Sequence, residues 1–84
     1  MYFFYILRCS DRSLYCGITT DLERREIEHN SNSSKAAKYT RSRSPVVLIY
    51  SESYSSLKDA MKREREVKSW KKSKKEDLVN SKDE

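Results

Sequence analysis

Four residue types that suit phosphodiester chemistry are spread along this short chain at suggestive intervals. Tyr5 and Tyr15 lie ten residues apart, Arg24-Arg25 follows within the next ten, His29 comes four residues after Arg25, and Glu64 stands far downstream. A guanidinium binds a phosphate bidentately and stabilises charge that develops on it. A phenol beside a cation can have its pKa lowered and serve as a base. A histidine can donate to, accept from or orient a water. A lone carboxylate at a cleft can hold Mg²⁺, which needs only one or two protein ligands and completes its shell with waters and phosphate oxygens. Each residue also has a plainer reading. Both tyrosines suit sheet packing, Arg25 suits a solvated helix face, His29 suits a half-buried ring, and Glu64 suits an ion pair with Lys68 at i+4.

For these groups to meet, short elements must position them. Tyr2 to Arg8 is a continuous apolar and aromatic run fit for a buried strand, and Leu14 to Ile18 is a second β-prone run. Asp11-Arg12-Ser13 between them reads as the turn of an antiparallel hairpin. Gly17, the sole glycine, follows Tyr15-Cys16 and suggests a close backbone approach or a bend. Thr20 or Asp21 caps a helix that runs to about Asn30 and carries Arg25 and His29 on one face. Asn30 to Ser34 is turn-rich, and Lys35 to Ser44 reads as a loop with one embedded aromatic, Tyr39. Pro45 opens a strand over Val46 to Tyr50. Ser55 or Ser56 caps the next helix, whose apolar stripe is Leu57, Ala60/Met61, Glu64, Val67 and Trp70. Glu64 occupies a stripe position where a leucine would be expected, and burying a carboxylate there demands a partner or a metal. A last short helix covers Lys74 to Val79.

The resulting order is β-β-α-β-α-(α). Burial then calls for an α+β fold, a three-stranded antiparallel sheet flanked by helices; pattern alone does not give the strand order. One domain over residues 1–80 is expected, with a polar tail at 81–84. The 84 residues are 36% hydrophobic, so the aromatics supply much of the core.

Charge is unevenly placed. The net charge is +5, yet residues 1–30 hold four Lys/Arg against five Asp/Glu. Residues 31–44 hold Lys35, Lys38, Arg41 and Arg43 and no acid. Such a segment attracts phosphate backbones, and Tyr39 within it could stack on a base; the plain alternative is a solvated loop. Cys9 and Cys16 are not spaced as a metal clip, and without a secretory signal free thiols are expected. No run is long enough for a membrane span, so the expected location is the cytoplasm.

Five segments, in order, resemble the GIY-YIG nucleases, and nearly the whole chain, roughly residues 2–79, is covered. Phe3-Phe4-Tyr5 stands in the GIY place and Tyr15-Cys16-Gly17 in the YIG place. Tyr5 to Cys9 is similar to their first strand, Leu14 to Thr19 to their second, and Asp21 through Arg25 to Asn30 to their first helix. Ala37 to Arg41 with Arg43 and Pro45 resembles their basic loop, and Ala60 through Glu64 to Lys68 their metal-binding helix. The likeness is closest to small stand-alone bacterial members, many uncharacterised.

The resemblance implies that Tyr5 and Tyr15 are active-site phenols, that Arg25 binds the scissile phosphate, that Glu64 holds Mg²⁺ (or Mn²⁺), and that His29 lies near the site. All five should then line one cleft. It implies a metal-dependent endonuclease acting on nucleic acid, with DNA the expected substrate and Lys35, Lys38, Tyr39, Arg41 and Arg43 in contact with it. The alternative is a binding module of the same fold that cuts weakly or not at all. A partner protein could supply affinity, since no separate binding domain is evident. Three departures bear on rate and substrate rather than on the fold. Phe3 replaces the glycine of GIY. Ile18 stands where DNA-repair members carry lysine, a charge that Lys38 or Arg41 could supply. Ala37 replaces a glycine.

Overall fold

The computed structural model describes residues 1–31 and 37–81. Its elements are β1 (Tyr2–Arg8), β2 (Leu14–Thr19), α1 (Leu22–Asn30), α2 (Lys38–Arg41), β3 (Val47–Tyr54), α3 (Leu57–Lys68) and α4 (Lys72–Ser81). The three strands form one antiparallel sheet in the order β2-β1-β3, so the most apolar strand is central. Its four consecutive buried residues, Phe4 to Leu7, face both sides in alternation.

The β1–β2 turn follows the expected chemistry. The Asp11 carboxylate accepts from the Ser13 backbone N–H at 3.0 Å, and Arg12 takes a left-handed φ of 70°. Tyr5 pairs with Gly17 and Leu7 with Tyr15, which puts these four on one face. Phe4, Ile6 and Cys16 lie on the other, against Val67 of α3 and Val79 of α4, with Trp70 and Leu78 at the margin. The sheet is thus the middle layer, with α3 and α4 on one side and α1 on the other. Cys9 and Cys16 are free thiols, both buried.

Helix α1 starts where Asp21 accepts from the Arg24 N–H at 3.1 Å, and α3 where Ser56 accepts from the Asp59 N–H at 3.2 Å. Side-chain bonds stitch α1 to the start of β3. The Asn30 amide both accepts from the Val46 N–H (2.6 Å) and donates to the Val46 carbonyl (2.9 Å). The Glu26 carboxylate accepts from the Leu48 N–H at 2.7 Å. Those bonds use the i, i+4 pair Glu26/Asn30, and the pair Arg25/His29 one residue back turns toward the sheet.

Four expectations change. Lys38–Arg41, read as loop, is a helical turn whose Thr40 and Arg41 N–H groups both bond to the Ala37 carbonyl. β3 begins at Val47 and extends to Tyr54, because Ser51 to Tyr54 pair with β1 although they are mostly polar. Leu57 and Met61 are each 45% exposed; the inward line of α3 is Ala60, Glu64 and Val67, and those two lie beside it. α4 is longer than expected at both ends. Lys35 falls outside the described residues. Among the described residues no helix is long and apolar enough to cross a membrane.

Candidate active site

A continuous hydrogen-bonded chain lies between the sheet and α1. The Arg25 guanidinium bonds to the Tyr5 hydroxyl. That hydroxyl lies 3.0 Å from His29 Nε2, and His29 Nδ1 lies 2.7 Å from Thr40 Oγ1. Thr40 Oγ1 in turn donates to the Ala37 carbonyl at 3.0 Å. The protons along this chain follow from its ends. Arg25 only donates, so the Tyr5 oxygen accepts from it and passes its own proton toward His29 Nε2. Thr40 spends its proton on Ala37, so its oxygen accepts from His29 Nδ1–H. His29 is therefore neutral and protonated on Nδ1.

Burial enforces that state. His29 and Thr40 are fully buried and Tyr5 is 2% exposed. Removal from water pushes the His29 pKa down to about 4; the Arg25 charge adds to the fall and Glu28 opposes it. Glu28 also anchors Arg25 from its outer side at 3.0 Å.

Burial pushes Tyr5 up to about 12. The Arg25 hydrogen bond and charge pull it down without cancelling that rise, and Tyr15 and Glu64 add to it. The expectation that a neighbouring cation lowers a phenol's pKa therefore fails for Tyr5, because desolvation is the larger effect.

Gly17 explains how Tyr5 reaches this position. A Cβ there would sit 2.4 Å from the Tyr5 hydroxyl oxygen and 2.6 Å from its Cζ. The ring crosses the neighbouring strand where only a glycine leaves room, which is the close approach its place in a β-run suggested.

Tyr15 is placed differently. It is half-buried, its ring centroid lies 5.3 Å from that of His29 in an edge-to-face arrangement, and its hydroxyl makes no hydrogen bond to a described residue. Tyr39 stacks on Tyr15 at 5.8 Å, with the rings 26° apart. Arg43 lies over Tyr39, its Cζ 3.9 Å from the ring centroid. Arg43 also donates from Nε to Asp11 at 3.0 Å and from a terminal nitrogen to the Tyr39 carbonyl at 2.9 Å. Arg43 and Tyr39 are thus engaged in the protein's own contacts, whereas Lys38 is exposed.

Glu64 comes from the other layer. α3 packs on the Phe4, Ile6 and Cys16 face, yet the Glu64 charge reaches both Tyr5 and Cys16. Its charge is thus felt by residues on both faces of the sheet. Its carboxylate lies 3.3 Å from Lys68 Nζ. Among the described residues no three His, Cys, Asp or Glu side chains are grouped as a metal cage. A single hard-oxygen ligand beside a site open to phosphate still fits Mg²⁺, which takes most of its shell from water and substrate.

The structure therefore brings Tyr5, Tyr15, Arg25 and His29 together and leaves Glu64, on α3, in electrostatic reach of Tyr5. Sequence reasoning missed Thr40, Glu28, Asp11 and Asn30. Helical spacing from Arg25 could have pointed to Glu28. For Thr40 no local signal exists, since its partner lies 11 residues away in the sequence.

Comparison with known proteins bears on this arrangement. The family model described as GIY-YIG catalytic domain matches residues 1–77. A UPF0213 protein of Bacillus pumilus is 47% identical over 75 residues, covering 89% of this chain and 74% of the relative. One from Natronomonas pharaonis is 47% identical over 78 residues, covering 93% and 89%. The solution NMR structure of a UPF0213 protein from Bacillus halodurans superposes with a TM-score of 0.63 at 46% identity, covering 98% of this chain and 86% of that one.

Proposed function

Because the chain belongs to the GIY-YIG family, we propose that it is a divalent-metal-dependent endonuclease that hydrolyses phosphodiester bonds in nucleic acid, with DNA as the substrate. The observation that carries this reading is the Arg25–Tyr5–His29–Thr40 chain, buried from Tyr5 to Thr40, which lies beside a phenol whose hydroxyl bonds to no described residue. A guanidinium held by both a phenol and a carboxylate suits a phosphate-binding site, because the brace fixes the charge where a phosphoryl group would sit and removes the cost of ordering it during reaction.

In this mechanism Tyr15 is the phenol that meets solvent. Its oxygen orients the attacking water and takes the water's proton while releasing its own to bulk. Tyr5, closed to solvent and held near 12, stays protonated at neutral pH and keeps Arg25 aimed at the scissile phosphate. His29 stays neutral and holds Tyr5. Glu64 is the residue that would bind Mg²⁺ or Mn²⁺, and the bound ion would supply positive charge for the leaving oxygen. Lys38 and Arg41 contact flanking phosphates.

Glu64→Ala should abolish metal-dependent cleavage of labelled linear, single-stranded and branched substrates while leaving their binding nearly intact. Arg25→Ala should lower cleavage by a factor on the order of 10²–10³. Cleavage that survives Glu64→Ala in the presence of Mg²⁺ overturns the assignment. A second reading, a binding module of the same fold that cuts weakly or not at all, is favoured by one observation: Lys68 already satisfies the Glu64 carboxylate. In that case the wild type cuts nothing across the panel, and Glu64→Ala binds as the wild type does.

A further inference from the structure

The positive charge left unpaired by the fold is not concentrated around Tyr39. Arg43 is held by Asp11, and the cations of the α3–α4 corner present a different picture. Lys71, Lys72 and Lys75 make no ion pair among the described residues. Lys72 lines a groove with Arg8, Arg12 and Glu76, and within it Arg8 forms a two-pronged pair with Glu76. That leaves Arg12 and Lys72 as the groove's surplus charge.

The charge of Lys72 reaches Glu76 one turn on, but local preferences at the neighbouring positions run against cations. Lys71 occupies the position that caps α4, since its carbonyl accepts from the N–H groups of Lys74 and Lys75. Ser, Asp or Asn would stabilise that position through a side-chain acceptor, which lysine lacks. The first turn of α4 has no acid, although the helix dipole favours carboxylates there and disfavours cations. On the facing turn, Arg12 takes φ 70°, a conformation in which Gly or Asn is the less strained choice. Two local preferences are thus overridden in favour of cations, at Arg12, which lines the groove, and at Lys71, which precedes the groove residue Lys72.

Lys75, one helical turn beyond the groove residue Lys72, relates this corner to β2. The charges of Lys75 and Lys68 reach Cys16 on β2, as does that of Glu64, and Cys16 lies between Tyr15 and Gly17. A polyanion lying across Arg25 and Glu64 would continue along the β2 edge onto this corner.

We propose that the groove between the β1–β2 turn and the start of α4, lined by Arg12 and Lys72, together with the adjoining Lys71 and Lys75, binds the sugar–phosphate backbone of the nucleic acid flanking the scissile bond. This deepens the nuclease reading and rests on it for the identity of the partner. The test is binding of a short labelled DNA duplex in EDTA, followed by fluorescence anisotropy as salt is raised. Each phosphate contact contributes about 0.9 to the slope of log K against log salt. The triple variant Lys71→Ala/Lys72→Ala/Lys75→Ala should therefore flatten the slope by roughly 2–3. The charge-matched control Lys58→Ala/Lys62→Ala/Arg65→Ala, on a separate part of α3, should leave it nearly unchanged. Thermal unfolding of the α4 variant should not be lowered, so lost binding cannot be ascribed to lost fold. Equal slopes for the two triples, an unchanged slope in the α4 triple, or no duplex binding by the wild type at low salt each overturn the proposal. Binding with the expected slope but no cleavage with Mg²⁺ or Mn²⁺ leaves this surface standing and defeats the nuclease reading instead.

Discussion

Thr40 decides which nitrogen of His29 carries the proton, and through it how Tyr5 holds Arg25. With Thr40 donating to Ala37, only the Nδ1–H tautomer satisfies both of the ring's neighbours. Thr40→Val keeps the volume and removes the acceptor. It leaves a buried N–H without a partner, at a cost of about 1–3 kcal/mol, or lets the proton move to Nε2. In the second case Nε2 can no longer accept from Tyr5, whose oxygen must then take donors from both His29 and Arg25. Turnover should fall roughly tenfold, the loss typical of removing a partner that orients a site histidine, and Thr40→Ser should restore it. The nitrogen-15 chemical shifts of His29 give a readout independent of activity: Nδ1–H in wild type and Thr40→Ser, a shift toward Nε2–H in Thr40→Val. An unchanged tautomer in Thr40→Val would remove Thr40 from this role. The sequence could not show this link. Tyr5, Tyr15, Arg25 and His29 stand out by residue type and spacing, whereas a threonine in a polar, basic stretch carries no pattern and becomes significant only when α2 folds over α1.

At the scale of elements, the hairpin turn, α2 and the sheet are clasped together through one arginine. Arg43 bonds to Asp11 of the turn and to the Tyr39 carbonyl, and covers the Tyr39 ring; the Ser10 N–H bonds to the Arg43 carbonyl at 2.9 Å. Tyr39 in turn stacks on Tyr15. Arg43→Ala should lower stability by about 1 kcal/mol, as expected for a partly exposed ion pair combined with a cation–π contact. It should loosen the Tyr15–Tyr39 stack while leaving the salt slope of nucleic-acid binding nearly unchanged. A slope that drops by about 0.9 would make Arg43 a phosphate contact instead. The elements themselves were largely legible. Alternating or continuous apolar runs gave β1 and β2, and side-chain caps at Asp21 and Ser56 gave the starts of α1 and α3. The end of β3 was not, because Ser51, Glu52 and Ser53 lack strand propensity and are held by pairing with β1. Nor was α2, a single turn too short to show a period, or the central place of β1, which depends on where α1 returns the chain.

For the molecule as a whole, the buried histidine makes folding itself a function of pH. The folded state keeps His29 neutral down to about pH 4, whereas the unfolded chain takes up its proton near 6.5. A group depressed in this way contributes its full stability above about pH 6.5. That contribution is lost progressively as pH falls toward 4, because the unfolded state binds the proton first. The total loss is about 3 kcal/mol, with about 2 kcal/mol of it gone by roughly pH 5. For a domain whose whole stability is about 5–15 kcal/mol this is a large fraction. The carboxylates do not obscure the effect. Glu76, paired with Arg8, Glu52, paired with Arg63 and both Tyr50 and Tyr54, and Asp11, held by Ser13 and Arg43, all lie below their ordinary range. Their stabilisation is lost only below the usual carboxylate values of about 4, under the window in which the histidine acts. Urea midpoints measured between about pH 7.5 and 5 should therefore fall steadily in the wild type. In His29→Gln, which can still accept from Tyr5 and donate to Thr40 but does not titrate, they should stay nearly level. A wild-type midpoint that is flat across that interval would mean that His29 is protonated as readily in the folded protein as in the unfolded chain. The chain from Thr40 through His29 and Tyr5 to Arg25 could not then hold the neutral ring on which the positioning of Arg25 depends.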